Sequence, residues 1–155
     1  MITAEFTVRR ATIADSTTLV AFNQAMAQET ENRELATEII AAGVTGLLQA
    51  PQYGFYLVAH TPAQVIGSLL VTYEWSDWRN GPIWWLQSVY VVPEWRGRGV
   101  YRELYLAVKN LAHEQGNVRG FRLYVDADNR TAQLAYTRLG MRQSHYLLYE
   151  DMAES

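Results

Sequence analysis

The segment "VYVVPEWRGRGVYREL", residues 89–104, joins an apolar run to a helix start through an arginine–glycine loop. Glycines at a strand-to-helix junction let a phosphate approach backbone N–H groups at the positive end of the helix dipole. The plainer reading is a tight turn at Gly97 and Gly99 with solvated arginines, and the loop alone leaves both open. A dinucleotide loop G-x-G-x-x-G would need glycine where Arg102 stands, and no Gly-Lys-Ser/Thr follows as a P-loop requires. Neither pattern is met.

Upstream, "IWWLQSVYVV" is the longest strand-like run and is apolar on both faces over its second half, which predicts a central buried strand ending at Pro93. Downstream, "GVYRELYLAVKNLAHEQG" repeats apolar residues at Leu104, Val108 and Leu111 and stops at Gly116, which predicts a helix. Before this unit, "FTVRRAT" alternates like a half-buried strand, and Asp15 and Ser16 offer caps to a helix over "IADSTTLVAFNQAMAQE". The stretch "NRELATEIIAAGVTGLLQAP" places Leu35, Ile39 and Gly43 at four-residue steps and predicts a second helix, with Glu31, Glu34 and Glu38 making one edge acidic. A hairpin is predicted from "YGFYLVAH" and "VIGSLLVTYEW" across "TPAQ", followed by turn residues in "SDWRNGP". After the long helix come a strand "FRLYVDA", a short helix "NRTAQLAYTRLG" and a final strand region "MRQSHYLLYEDM". The predicted order β-α-α-β-β-β-α-β-α-β is that of a mixed α/β domain with helices flanking a central sheet.

The chain has 155 residues, nearly half of them hydrophobic, with no repeat or linker-like tract, so a single domain over residues 1–155 is expected. No apolar run nears the ~18–20 residues of a membrane span, and "MITAEFTVRR" lacks a signal core, so no membrane partner and a cytoplasmic location are expected. Cysteine is absent, which removes disulfides and thiolate chemistry. A net charge of −3 argues against nucleic acid as the main partner. His60, His113 and His145 show no ligand spacing, so no metal site is expected.

The loop resembles the acyl-CoA loop of the Gcn5-related N-acetyltransferases (GNAT), Arg/Gln-x-x-Gly-x-Gly/Ala after a strand ending in V-x-P. Val91, Pro93, Arg96 and Gly99 match, and Tyr101 departs at the last position. A second family pattern, Asn-x-x-Ala-x-x-x-Tyr-x-x-x-Gly-Phe/Met, is similar to Asn129, Ala132, Tyr136, Gly140 and Met141. The resemblance covers essentially the whole chain and implies a GNAT-like fold.

It further implies that acetyl-CoA is the acyl donor. Its pyrophosphate would lie on the main chain of Arg96, Gly97, Arg98, Gly99, Val100 and Tyr101, and its pantetheine arm would pair with the main chain around Val89 and Val91. Asn129 suits a helix N-cap and, by the resemblance, a contact to the CoA arm as well. Tyr136 is the candidate catalytic acid, because a phenol with an ordinary pKa of ~10 is protonated at neutral pH and can donate to a departing thiolate. Many family members carry a glutamate on the central strand as general base. Trp85 stands at that position here, with Gln87 and Ser88 nearby to hold a water and with Glu29, Glu34, Glu74 and Asp77 as candidate carboxylates.

The implied activity is N-acetylation of a primary amine on a small molecule or peptide, by direct attack in a ternary complex. The alternative is a CoA-binding sensor or interaction domain, which the missing strand glutamate would suit. Dimerisation is common in the family, so a homodimer is among the assemblies implied. The aromatic cluster "YEWSDWRNGPIWW" reads equally as core with hairpin cover or as an acceptor or dimer wall.

Overall fold

In the computed structural model the long apolar run forms β4, Gly81–Val91, fourth of five strands in the order β1-β2-β3-β4-β5. The structure describes residues 5–153; residues 1–4 of the N-terminal reading lie outside them. By internal contacts the chain divides into two compact units, residues 1–124 and 125–155.

The first unit contains β1 (Thr7–Arg10), a 3-10 turn (Ile13–Asp15), α1 (Ser16–Glu31), α2 (Thr37–Leu48), β2 (Gly54–His60), β3 (Val65–Ser76), β4, a second 3-10 turn (Pro93–Trp95), α3 (Val100–Gln115) and β5 (Gly120–Arg122). The first four strands pair antiparallel: β1 and β2 across the two intervening helices, and β2–β3 and β3–β4 as hairpin-connected neighbours do; β5 follows the α3 crossover and pairs parallel with β4.

One sheet face packs on α1 and α2. Leu19, Val44, Tyr56, Val58 and Leu70 form a buried cluster there, flanked by Ile40, Leu47 and Leu48. The apolar stripe of α2 is therefore Ile40, Val44 and Leu47. The predicted stripe is out of phase, because the helix begins only at Thr37: Leu35 precedes its first turn and Ile39 is 71% exposed. The opposite sheet face carries α3, whose Val100, Leu104, Tyr105, Val108 and Ala112 are buried. Full burial of one such Leu or Val contributes about 1.5–3 kcal/mol.

Asp15 precedes α1 as predicted, but its side chain does not cap that helix. It turns back to accept the Thr12 N–H at 2.8 Å and both guanidinium nitrogens of Arg9, at 2.8 and 3.0 Å. The aromatic cluster splits: Trp84 is core, whereas Trp75 and Trp78 are largely exposed.

The second unit holds α4, Arg130–Arg138. Residues 141–153, predicted as a final strand, form none. A strand pattern becomes a strand only when another strand completes its hydrogen bonds, and no described strand pairs with this segment. Tyr146, Leu147, Leu148, Tyr149 and Met152 along it are exposed.

Candidate active site

Two irregularities in β4 prepare the site. The first is a β-bulge: Ser68 opposes Tyr90 and Leu70 opposes Gln87, so Ser88 and Val89 together face the single residue Leu69. Ser88 takes φ 50° to accommodate it. The extra residue keeps Gln87 and Tyr90 on the same face, where strict alternation would place them on opposite faces. Tyr90 consequently packs on Phe22 of α1, with ring centroids 4.9 Å apart.

The second, termed the fork, is the point at which β5 ends at Arg122 and its pairing with β4 stops. β5 pairs with β4 only through Ile83↔Gly120, Trp84↔Phe121 and Trp85↔Arg122. Beyond Trp85, β4 continues to Val91 with β3 as its only strand partner among the described residues. Val89 and Val91 lie on this free stretch, both half-buried.

The loop after β4 leads into α3 through Gly97 at φ 75° and Gly99 at φ 83°, a left-handed backbone that disfavours side chains. A Cβ built on either glycine would meet no atom within 4 Å, so backbone conformation rather than crowding requires them and the space above is open to a ligand. The first helical bond runs from the Glu103 N–H to the Gly99 carbonyl at 3.1 Å. The N–H groups before it belong to the helix start, which has no intrahelical acceptor to offer them. The N-terminus of α3 is held down at Gly67 of β3, where an added Cβ would come 2.9 Å from Val100 Cγ1. Val100 itself is 2% exposed, so it presents only main chain to the loop side.

The loop arginines are engaged within the protein. Arg96 donates to the Val91 carbonyl at 2.8 Å and to Glu29 of α1 at 2.8 Å, and its guanidinium lies 5.5 Å from the Tyr90 ring centroid. Burial, and then the Glu29 carboxylate, push the Tyr90 phenol above its ordinary pKa. Arg98 pairs with Glu5 at 2.9 Å and covers the Trp95 ring at 3.9 Å. Tyr101 runs along α3: its ring stacks on Tyr105 with centroids 6.2 Å apart and 17° between planes, as residues one helical turn apart allow.

At the fork lies a group that sequence reading did not assemble. Trp85 Nε1–H donates to Glu74 Oε1 at 3.2 Å, and Arg122 donates to Glu74 Oε2 at 2.6 Å. The Trp85 ring also meets Tyr124, centroids 6.2 Å apart. Glu74 was one of several candidate carboxylates by sequence; its link to Trp85 depends on the β3–β4 register, and only the strand-turn-strand pattern around "SDWRNGP" pointed toward it. Glu29 binds Arg96, whereas Glu34 and Asp77 are exposed.

In the second unit, Asn129 is the N-cap of α4 and accepts the Ala132 N–H at 3.2 Å. Tyr136 sits in the last turn of α4, half-buried, and burial raises its phenol pKa above the ordinary value. Among the described residues no group of His, Asp or Glu is arranged to hold a metal ion, and no helix is long and apolar enough to cross a membrane.

No curated protein sequence matches the chain. Among solved structures it is similar to a possible acetyltransferase from Clostridium difficile 630, with 37% identity, a TM-score of 0.90 and coverage of 98% of this chain and 100% of that one. A predicted acetyltransferase from Clostridium acetobutylicum, solved with acetyl-CoA, shares the fold at 16% identity and a TM-score of 0.78, over 94% of this chain and 96% of its own. The aminoglycoside N-acetyltransferase AAC(6')-Iy, in complex with CoA, shares it at 17% identity and a TM-score of 0.75, over 97% of each chain. The description of the acetyltransferase (GNAT) family matches residues 16–141. With that match over most of its length, this chain belongs to the GNAT family of N-acetyltransferases.

Proposed function

We propose that the protein transfers an acetyl group from acetyl-CoA to a primary amine of a small molecule or peptide, by direct attack within a ternary complex. The observation that carries this reading is the sequence of bulge, fork and glycine loop along one segment, residues 81–101. A fixed row of main-chain donors suits a pyrophosphate, because backbone groups need no ordering when the ligand arrives. The main chain of residues 96–101 fills that role; Arg96 and Arg98 are already engaged elsewhere, so their side chains act by fixing the loop and adding positive potential. The main chain at Val89 and Val91, which β5 leaves unpaired and of which the Val91 carbonyl already accepts from Arg96, receives the amide groups of the pantetheine arm in the manner of an added strand. Asn129 fixes the start of α4 and offers the CoA arm its side-chain N–H.

Transfer from a thioester to an amine breaks a C–S bond and forms a C–N bond. The departing thiolate takes a proton from Tyr136, and the proton that the amine loses passes to water, from which the Tyr136 phenolate recovers its own. Tyr136 supplies the proton to sulfur; the raised pKa of its phenol keeps that proton in place across the neutral range. The aminoglycoside enzyme with this fold supports a small cationic amine as acceptor. The exposed apolar segment from Tyr146 to Tyr149 supports a homodimer as the working assembly, measurable by sedimentation.

The test is calorimetric titration with CoA, followed by release of free thiol from acetyl-CoA in the presence of polyamines, aminoglycosides, amino acids and peptide N-termini. Binding of CoA together with thiol release by one class of amine supports the reading. Binding without transfer to any of them would replace the enzyme with a CoA sensor.

A further inference from the structure

We propose that Glu74, held from β3 by Trp85 and Arg122 at the last β4–β5 register pair, is the anionic subsite that receives the ammonium group of the acceptor. This rests on the reading of the fork as the thioester end of the CoA site. Trp85 and Arg122 are the last register partners before β4 and β5 separate, and both donate to the Glu74 carboxylate. The carboxylate is therefore fixed at the fork, although it is carried by β3.

Its chemistry suits a cation. Each Glu74 oxygen accepts one of the two bonds above, and a carboxylate offers about four acceptor positions, so each keeps one for a further donor. The side chain is 39% exposed and so reachable from solvent. The neighbouring rings of Trp85 and Tyr124 add faces to which a cation is drawn. The side chains of Thr72 and Gln87, bonded to each other on the same sheet face, border the carboxylate with neutral polar groups. Arg122 competes for the carboxylate, so it acts as a restraint that an acceptor amine must match. A cation held here shares the Glu74 carboxylate with Arg122 or displaces it, which favours polyamines and aminosugars over neutral amines.

The measurement is calorimetric titration of the CoA-loaded protein with spermidine and with kanamycin, for wild type, Glu74→Gln, Arg122→Met and, as an exposed control on α3, Glu114→Gln. Thermal melts and CoA affinity report folding. The expected result is that wild type binds at least one of the two cations. Glu74→Gln should weaken that binding at least about tenfold, and Arg122→Met should leave it equal or tighter. Glu114→Gln should have no effect. The proposal is overturned if wild type binds neither cation, if Glu74→Gln binds as well as wild type, or if both Glu74→Gln and Arg122→Met lose binding alike, since the pair would then be structural only. Loss of CoA binding in wild type would instead count against the proposed function, which separates the two failures.

Discussion

The indole N–H of Trp85 on β4 bonds to the carboxylate of Glu74 on the neighbouring strand β3 at 3.2 Å, so the two strands are tied side chain to side chain where the pairing with β5 ends. Trp85→Phe keeps a ring against Tyr124 and removes only the donor. A single hydrogen bond to a charged group accounts for about 1.5–3 kcal/mol when its partner is left buried, and less here, because Glu74 is open to water. The expected outcome is a loss of roughly 1 kcal/mol in urea unfolding, unchanged CoA affinity and a raised KM for a cationic acceptor. A lowered CoA affinity instead would show that the indole belongs to the cofactor side of the fork.

Gly67 sets how closely α3 approaches the sheet. An added Cβ would lie 2.9 Å from Val100 Cγ1 and 3.1 Å from the Tyr90 carbonyl oxygen, and Val100 is itself buried. Gly67→Ala should destabilise the protein by about 1–3 kcal/mol, the usual range for overpacking a core. It should also weaken CoA binding, because relief of the clash moves the helix start that follows the glycine loop. Chemical denaturation and CoA titration of the same variant check both halves; a stability loss with unaltered CoA affinity would separate the helix start from the cofactor.

The Arg9–Asp15 pair gives the fold a defined acid limit. Two bonds from Arg9, and secondarily the Thr12 N–H, hold the Asp15 carboxyl below its ordinary pKa, outweighing its burial. A depressed folded-state pKa contributes stability that is complete above the unfolded value of ~3.9 and is lost as pH falls through the folded value. Asp15→Asn should therefore cost about 1.5–3 kcal/mol at neutral pH. Its stability should also fall less steeply than that of wild type below pH ~4. Parallel pH–stability curves would show that other carboxylates set the acid limit.

What could be read from the chain follows the range of the interactions involved. The β4–loop–α3 unit is local: an apolar run, two glycines and a helical repeat lie within 35 residues, 81–115, and its elements match the observed ones. The phase of α2 was misread because Ile39 and Ile40 are both apolar, and only the start at Thr37 turns Ile40 inward. The segment from 141 onward has the composition of a strand, but pairing is supplied from outside a segment and leaves no mark within it. Tyr101 stands out beside the glycine loop, and its ring stacks on the buried Tyr105 one turn along α3, a contact that four-residue spacing allows. Glu74 and Trp85 meet because the hairpin closes from Ser76 to Gly81; a shift of one residue would send Trp85 to the other face. The bulge at Ser88 and Val89 was illegible for the same reason, since it exists only relative to β3.

The acid role assigned to Tyr136 predicts a particular pH profile. Burial raises the phenol pKa, so the protonated form persists beyond pH ~10 and the acid is present throughout the neutral range. In wild type, turnover should decline on the alkaline side only above pH ~10, as the phenol ionises. Tyr136→Phe removes the proton and should lower kcat by about 10²–10⁴-fold, the usual contribution of a general acid, and abolish that alkaline decline. CoA affinity should change little, because the ring and its packing remain. The residue lies in α4 about two turns beyond its Asn129 cap, so the same measurements on Asn129→Ala give the comparison. Removing the cap costs about 1 kcal/mol of stability and should weaken CoA binding while leaving the alkaline limb in place. Unchanged kcat in Tyr136→Phe would assign the proton to solvent and leave Tyr136 as a packing residue of α4.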